Sequence, residues 1–202
     1  MLVRDETLRS IAAHYAGEIV VCVYTTGFEW LAIRPDALNY VAVGAMGQGS
    51  SHALGLALGC PDRRVLVLDG DGSLLMNLGS LVTIGAAAPR NLVHFVFQNG
   101  TYEANGKQPL PAKGILNFAG IAAAAGYART FTFDEKTQFD AAIGGILALD
   151  GPVFVDLRVT PGETLYPQNY DYLHSAQARE KFRAALIPPL DRNLIDEGES
   201  AP

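Results

Sequence analysis

The chain has 202 residues, 49% of them hydrophobic, which is enough for one well-filled core and too few to expect two large domains. A formal net charge of −6 and a pI near 5.1 argue against nucleic acid as a partner, because phosphates call for a basic surface. No stretch approaches the roughly 18 to 20 uninterrupted apolar residues of a membrane span, so no membrane partner is expected. The first six residues, MLVRDE, put acids where a leader peptide needs an apolar run. Cys22 and Cys60 sit in apolar or helical stretches and read as buried free thiols of a reducing compartment. The expectation is a cytoplasmic protein.

In chain order, residues 5–16 (DETLRSIAAHYA) read as a helix with acids in its first turn and Gly17 past its end. EIVVCVY (18–24) is a continuous apolar run, the pattern of a strand covered on both faces. Residues 40–49 (YVAVGAMGQG) read as a strand entering a glycine-rich turn, and SSHALGLALG continues as a helix. RRVLVLD (63–69) is a second apolar run, followed by Gly70-Asp71-Gly72-Ser73 and a helical pattern from Leu74. NLVHFVFQN (91–99) is a third, and it stops at an amide. The interval 100–116 (GTYEANGKQPLPAKGIL) has no period and reads as a long loop. Asn117 can cap a helix over FAGIAAAA that ends at Gly126. A helix over about 134–149 leads into the fourth run, GPVFVDLRV (151–159), and AQAREKFRAAL reads as a terminal helix. Periodicity stops at residue 188, so residues 1–187 are expected to form the domain and 188–202 a flexible tail. Strands alternating with helices specify a three-layer α/β/α fold, doubly wound around a mostly parallel sheet.

Glycines at 70 and 72 allow a tight turn and let backbone N–H groups approach an anion. The helix that follows adds unpaired N–H groups and its positive dipole end. An acid inside a phosphate cradle repels the phosphate unless a divalent cation lies between them. Asp71 therefore reads as a ligand of Mg²⁺, a cation that favours carboxylate, neutral oxygens and phosphates. Read alone, DGDGS is equally well an ordinary polar turn. Asn99 tips the balance: it ends the next strand, so two neighbouring parallel strands bring Asp71 and Asn99 to one sheet edge, with a loop carbonyl at Thr101 as a further oxygen ligand.

Gly70-Asp71-Gly72, a spacer of this size and then Asn99 resemble the fingerprint of thiamine-diphosphate enzymes, a family of decarboxylases, acetolactate synthases and transketolases. The resemblance implies that Asp71, Asn99 and the Thr101 carbonyl hold a Mg²⁺ bridging the diphosphate, with Gly72 and Ser73 backbone groups as anchors. It also makes Met46 the wedge that bends the cofactor, and Gly44 the carbonyl that receives its pyrimidine amino group. Two other readings of the wedge loop stay open. By residue type alone Met46 reads as a core methionine. A dinucleotide site would use the glycine turn with Asp69, about 20 residues beyond Gly49, although the glycines fall as G-x-x-G-x-G rather than G-x-G-x-x-G.

The segments GAMGQGSSHALGLALG, VLVLDGDGSLLMNLGSLVTIG and GPVFVDLRVTPGE are similar to the beta subunits of sulfopyruvate decarboxylase and the equivalent half of phosphonopyruvate decarboxylase. What this implies is a thiamine-diphosphate- and Mg-dependent 2-oxo-acid decarboxylase that releases CO₂ and an aldehyde, with carboligation of the acetolactate-synthase kind as the alternative. The activating glutamate is expected from an alpha subunit carrying the pyrimidine-binding domain, in a hetero-oligomer of α2β2 or larger. Glu6, Glu18 and Glu29 precede the wedge loop but sit in no recognisable pyrimidine-domain context. Lys107 and Gln108, in the loop after Asn99, are the local candidates for substrate contact, and His52, in the helix after the wedge loop, is a third. His94 reads as structural, and the stretch holding Tyr166 and His174 as a candidate lid.

Overall fold

The computed structural model describes residues 1–42, 44, 46–111 and 113–186, so the expected tail at 188–202 lies outside the described residues. The first strand and helix are β1 (Leu2–Val3) and α1 (Arg4–Ala13), followed by β2 (Ile19–Val23), α2 (Tyr24–Ile33), β3 (Asn39–Ala42) and α3 (Gly49–Gly59). Then come β4 (Val65–Gly70), α4 (Asp71–Met76), α5 (Ser80–Ala87) and β5 (Leu92–Gln98). The expected loop contains a short hairpin, β6 (Thr101–Tyr102) and β7 (Gln108–Pro109), around a single 3₁₀ turn at Glu103–Asn105. The chain continues with α6 (Phe118–Ala124), β8 (Arg129–Phe133), α7 (Lys136–Ala148), β9 (Val153–Thr160), α8 (Tyr170–Leu173) and α9 (Ala176–Leu186).

Seven strands form one sheet in the order β1-β9-β5-β4-β2-β3, with β8 also paired to β9, and every pairing in it is parallel. The continuous apolar runs follow from that position, since a strand between two helical layers buries side chains on both faces. Alternation along β2 and β4 sends Val21, Val23, Val65 and Val67 to one face, where they meet Ala53, Ala57, Leu81, Ile84 and Phe118 of α3, α5 and α6. Val20, Cys22, Leu66 and Leu68 go to the other face, against Leu8, Ile11, Trp30, Phe139 and Ile143 of α1, α2 and α7. The three layers are therefore helix, sheet, helix, as the alternation requires.

After β2 the chain goes one way to β3 and then returns past β2 to β4, so the strand order reverses between β2 and β4. The intervening helices lie on opposite faces, α2 on one and α3 on the other. The carboxyl ends of two such strands diverge and leave a crevice, the usual location of a ligand in an open parallel sheet. Among the described residues, no helix is long and apolar enough to cross a membrane.

Candidate active site

That crevice is a cleft lined by Val23 to Thr26 from the end of β2, Gly70 to Ser73 from the end of β4, Asn99 after β5, Thr101 to Ala104 of the hairpin, Met46 and Arg4. Gly70 is the extended residue before α4, so the helix begins at Asp71, three residues earlier than its apolar pattern indicates. Asp71 is 2% exposed. One of its oxygens accepts the Gly72 N–H at 2.8 Å and the other the Gly100 N–H at 2.6 Å. Burial pushes the Asp71 carboxyl up to about 6, against the pull of these backbone N–H groups.

Asn99 lies beside it, half-buried, and its Oδ1 accepts from the Thr101 N–H at 2.8 Å and the Thr101 hydroxyl at 3.0 Å. The hairpin register leaves the Thr101 carbonyl available. Leu110 N–H donates to the Gly100 carbonyl, so the next pair, Thr101 opposite Pro109, is the one whose backbone groups point away from the partner strand. A carboxylate, an amide oxygen and a backbone carbonyl make a set of hard oxygens that fits Mg²⁺. Among the described residues, no group of three or more His, Cys, Asp or Glu gathers to hold a metal, so a metal here depends on such neutral oxygens.

The glycine-rich turn is fastened to this site. Gly47, at φ +88°, donates its N–H to Ser73 Oγ at 3.2 Å, and its carbonyl accepts from Asn77 Nδ2 at 3.0 Å. A Cβ at Gly47 would stand 3.2 Å from the Cβ atoms of Asn77 and Met76, so the turn rests directly on α4. Gly44 donates its N–H to the Tyr24 hydroxyl at 3.1 Å. Tyr24 opens α2 at φ +44°, a left-handed conformation that a tyrosine rarely adopts, and its ring lines the cleft. Met46 is half-buried and lines the cleft rather than the core.

Beneath the cleft lies a chain of buried polar groups. Asp69 Oδ1 accepts the Gly70 N–H at 2.9 Å, His94 Nε2 stands 3.4 Å from Asp69 Oδ2, and His94 Nδ1 meets the Tyr127 hydroxyl at 3.1 Å. Asp69 and His94 are fully buried. Asp69 is thus part of the support for the Gly70 turn and has no access to a ribose, which removes the acid that a dinucleotide reading requires.

On the open side, Arg4 is caught between two carboxylates. It donates to Glu29 at 2.6 and 2.9 Å and to Glu103 at 2.5 and 3.2 Å. Burial works against its charge, but the two carboxylates hold the guanidinium above its ordinary value. Burial likewise raises Glu29, opposed by Arg4. Glu29 is therefore engaged within its own chain.

The cleft brings together Met46, Gly70, Asp71, Gly72, Ser73, Asn99 and Thr101, and Gly44 is joined to it through the Tyr24 hydroxyl. Lys107 and Gln108 lie on the exposed arm of the hairpin and do not line the cleft, and Lys107 sits at φ +59°. His52 is exposed on α3, its ring 5.4 Å from that of Tyr40. Sequence reasoning missed Arg4, Tyr24 and Glu103. Nothing local marks Arg4 and Tyr24, because their partners are 20 to 99 positions away; Glu103 carries a local signal in Asn99, four residues before it.

Comparison with known proteins identifies the family and the fold. Residues 20–157 match the family model of the thiamine pyrophosphate enzyme C-terminal TPP binding domain. The chain is 39% identical over 170 residues to the sulfopyruvate decarboxylase subunit beta of Methanothermobacter thermautotrophicus, spanning 83% of this chain and 87% of that one. It is 39% identical over 151 residues to the phosphonopyruvate decarboxylase of Streptomyces viridochromogenes, spanning 75% of this chain but 37% of that longer protein. A thiamine diphosphate-dependent 4-hydroxybenzoylformate decarboxylase from Rhodococcus jostii RHA1 has the same fold, with a TM-score of 0.67 at 22% identity over 81% of this chain and 33% of its own.

Proposed function

The chain belongs to the thiamine pyrophosphate enzymes through their C-terminal cofactor-binding domain, and from that premise we propose that it is the beta subunit of a Mg²⁺-dependent 2-oxo-acid decarboxylase. One observation supports the metal assignment: the Asp71 carboxylate at the end of β4 accepts the N–H of Gly100, the residue after Asn99 at the end of the neighbouring β5, so the two candidate ligands share one corner of the sheet. Asp71 and Asn99 would bind the cation that bridges to the diphosphate. Ser73 would offer its backbone N–H to the phosphates, Gly72 would do so by giving up its bond to the Asp71 carboxylate, and Gly44 and Met46 would receive and bend the pyrimidine end. Bound there, thiamine diphosphate supplies a nucleophilic carbon for the 2-carbonyl and an electron sink for the departing CO₂.

This chain's own residues fix and shield the cofactor and leave the proton chemistry to another subunit. Glu29 is committed to Arg4, and Glu103 to Arg4 and Asn99, so neither is free to activate a pyrimidine nitrogen. Arg4 is the one guanidinium lining the cleft among the described residues, and it is saturated by the same carboxylates. An activating glutamate and a cation for any anionic substrate tail are therefore assigned to an alpha subunit with the pyrimidine-binding domain, in an α2β2 or larger assembly. The relatives named for sulfopyruvate and phosphonopyruvate support a short, anionic 2-oxo acid as substrate.

The test is a turnover assay on the full chain, alone and co-purified with that partner, with thiamine diphosphate, Mg²⁺ and a panel of 2-oxo acids. CO₂ and aldehyde are expected only from the pair. A carbon–carbon coupled product in place of aldehyde would favour carboligation, and full activity of the isolated chain would overturn the divided site.

A further inference from the structure

Glu103 stands at a junction that the cofactor reading leaves unexplained. Its Oε2 accepts from Asn99 Nδ2 at 3.0 Å and from Arg4 at 2.5 Å, and its Oε1 accepts from Arg4 at 3.2 Å. Arg4 is in turn held by both oxygens of Glu29 and is 3% exposed. A side chain in the 3₁₀ turn after Asn99 is thereby linked to the first helix and to α2. A surface ion pair would contribute little, but here the cation is buried and both carboxylates are within hydrogen-bonding distance.

A side-chain amide has one acceptor end and one donor end, nearly equal in size. A metal cation needs the oxygen, and an amide turned the other way would present its N–H groups to the cation. Thr101 holds Asn99 by the oxygen end through both its N–H and its hydroxyl, and a metal cation there would take the place of the hydroxyl. Glu103 holds the opposite end, and an ionised carboxylate only accepts, so it tolerates nothing but the NH₂ there. Held at both ends, the amide is fixed in plane as well as in sense. Arg4 fixes Glu103 in turn and offsets part of its charge, one guanidinium being shared between Glu103 and Glu29.

Resting on the proposed thiamine-diphosphate and Mg²⁺ reading, we propose that Glu103 is a positioning residue for the metal-binding amide of Asn99, with Arg4 and Glu29 as its support. The residue does not touch the metal; it acts through Asn99. Groups of this kind, one step out from a metal ligand, typically change affinity by roughly 10- to 100-fold when removed.

The experiment measures thiamine diphosphate binding to the full chain with its co-purified partner as a function of Mg²⁺ concentration, by titration calorimetry, for the wild type, Glu103→Gln and Glu103→Leu. Glu103→Gln keeps an oxygen that accepts from Asn99, and Glu29 keeps Arg4 paired in either variant. The expected result is a Mg²⁺ requirement raised roughly 10-fold or more in Glu103→Leu and largely restored in Glu103→Gln, with melting temperatures that do not follow this order. A Glu103→Leu protein within about twofold of wild type would overturn the assignment. So would losses in both variants that track their melting temperatures, or a fall in turnover with unchanged Mg²⁺ dependence, which would mark Glu103 as a substrate-contacting group. A wild-type protein that binds no thiamine diphosphate would overturn the underlying reading itself, an outcome visible before any variant is compared.

Discussion

The Asp71 carboxylate accepts the Gly100 N–H at 2.6 Å, so the first turn after β4 is tied to the residue that follows Asn99. Two strand ends that are neighbours in the sheet are tied into one corner, and the residues that carry the carboxylate and the amide are held next to each other before any ligand arrives. Such preorganisation spares the ligand the entropy of assembling its own site.

Gly72 is the tightest point of this corner. A Cβ there would lie 2.6 Å from Tyr102 Cδ1, so Gly72→Ala must push the ring aside and with it the hairpin that carries Thr101. Overpacking of this kind costs about 1 to 3 kcal/mol, and most of the cost should fall on the hairpin rather than the core. Thiamine diphosphate affinity is expected to fall in Gly72→Ala and to recover substantially in Gly72→Ala with Tyr102→Ala, measured by calorimetry. Unchanged affinity in the single variant would contradict the crowding argument.

Met46 lines the cleft from a turn fastened to Ser73 and Asn77. If it bends the cofactor, truncation should disturb ring geometry more than anchoring. Met46→Ala is expected to lower kcat by about 100-fold, the scale of a small misplacement of reacting atoms, with a much smaller loss of cofactor affinity. Met46→Leu, similar in volume, should retain most of the activity. Equal losses in kcat and affinity would instead make Met46 a general packing residue.

Asp156 on β9 is 1% exposed, and burial pushes its carboxyl up to about 6, with Asp71 adding to the rise and Arg158 opposing it. An unfolded aspartate releases its proton near about 4, so between these values the native chain binds more protons. Stability therefore declines as pH rises through that window and is fully depressed above it. Asp156→Asn cannot ionise and should raise the melting temperature at about pH 8, by roughly 1 to 2 kcal/mol in stability, with little change at about pH 4. Thermal unfolding followed by circular dichroism without metal or cofactor checks this; equal shifts at both pH values would contradict it.

Much of the architecture was legible because burial on both faces leaves a continuous apolar run. The runs at 18–24, 63–69, 91–99 and 151–159 are β2, β4, β5 and β9. The Asn117 cap is also present, its side chain accepting the Gly120 N–H at 2.8 Å. The helix expected over 5–16 is shorter, Arg4–Ala13, because His14 already leaves helical geometry. Strand β8 escaped notice because it is partly exposed and reads RTFTF, with no run and a mixed face. Helix α2 escaped because Thr25, Thr26 and Gly27 are poor helix formers, and packing against the sheet overrides that preference. The Asp71 and Asn99 corner was legible because one strand–helix–strand unit fixes their proximity. The Arg4, Glu29 and Glu103 cluster was not, since its members meet only after the first helix, the second helix and the hairpin have docked.

The central claim is that Asp71 holds the cofactor through a divalent cation. Calorimetric titration of thiamine diphosphate into the full chain with its partner, with Mg²⁺ and with EDTA, tests it most directly when wild type and Asp71→Asn are compared. Asparagine removes the buried charge but turns an NH₂ toward one of the two backbone N–H donors, so a stability loss of about 1 to 3 kcal/mol is expected and both proteins are compared well below their melting temperatures. Mg²⁺-dependent binding is expected in the wild type, with a loss of roughly 100-fold or more in Asp71→Asn, larger than the change from removing a residue one step further out. Equal, Mg²⁺-independent binding by both proteins would contradict it.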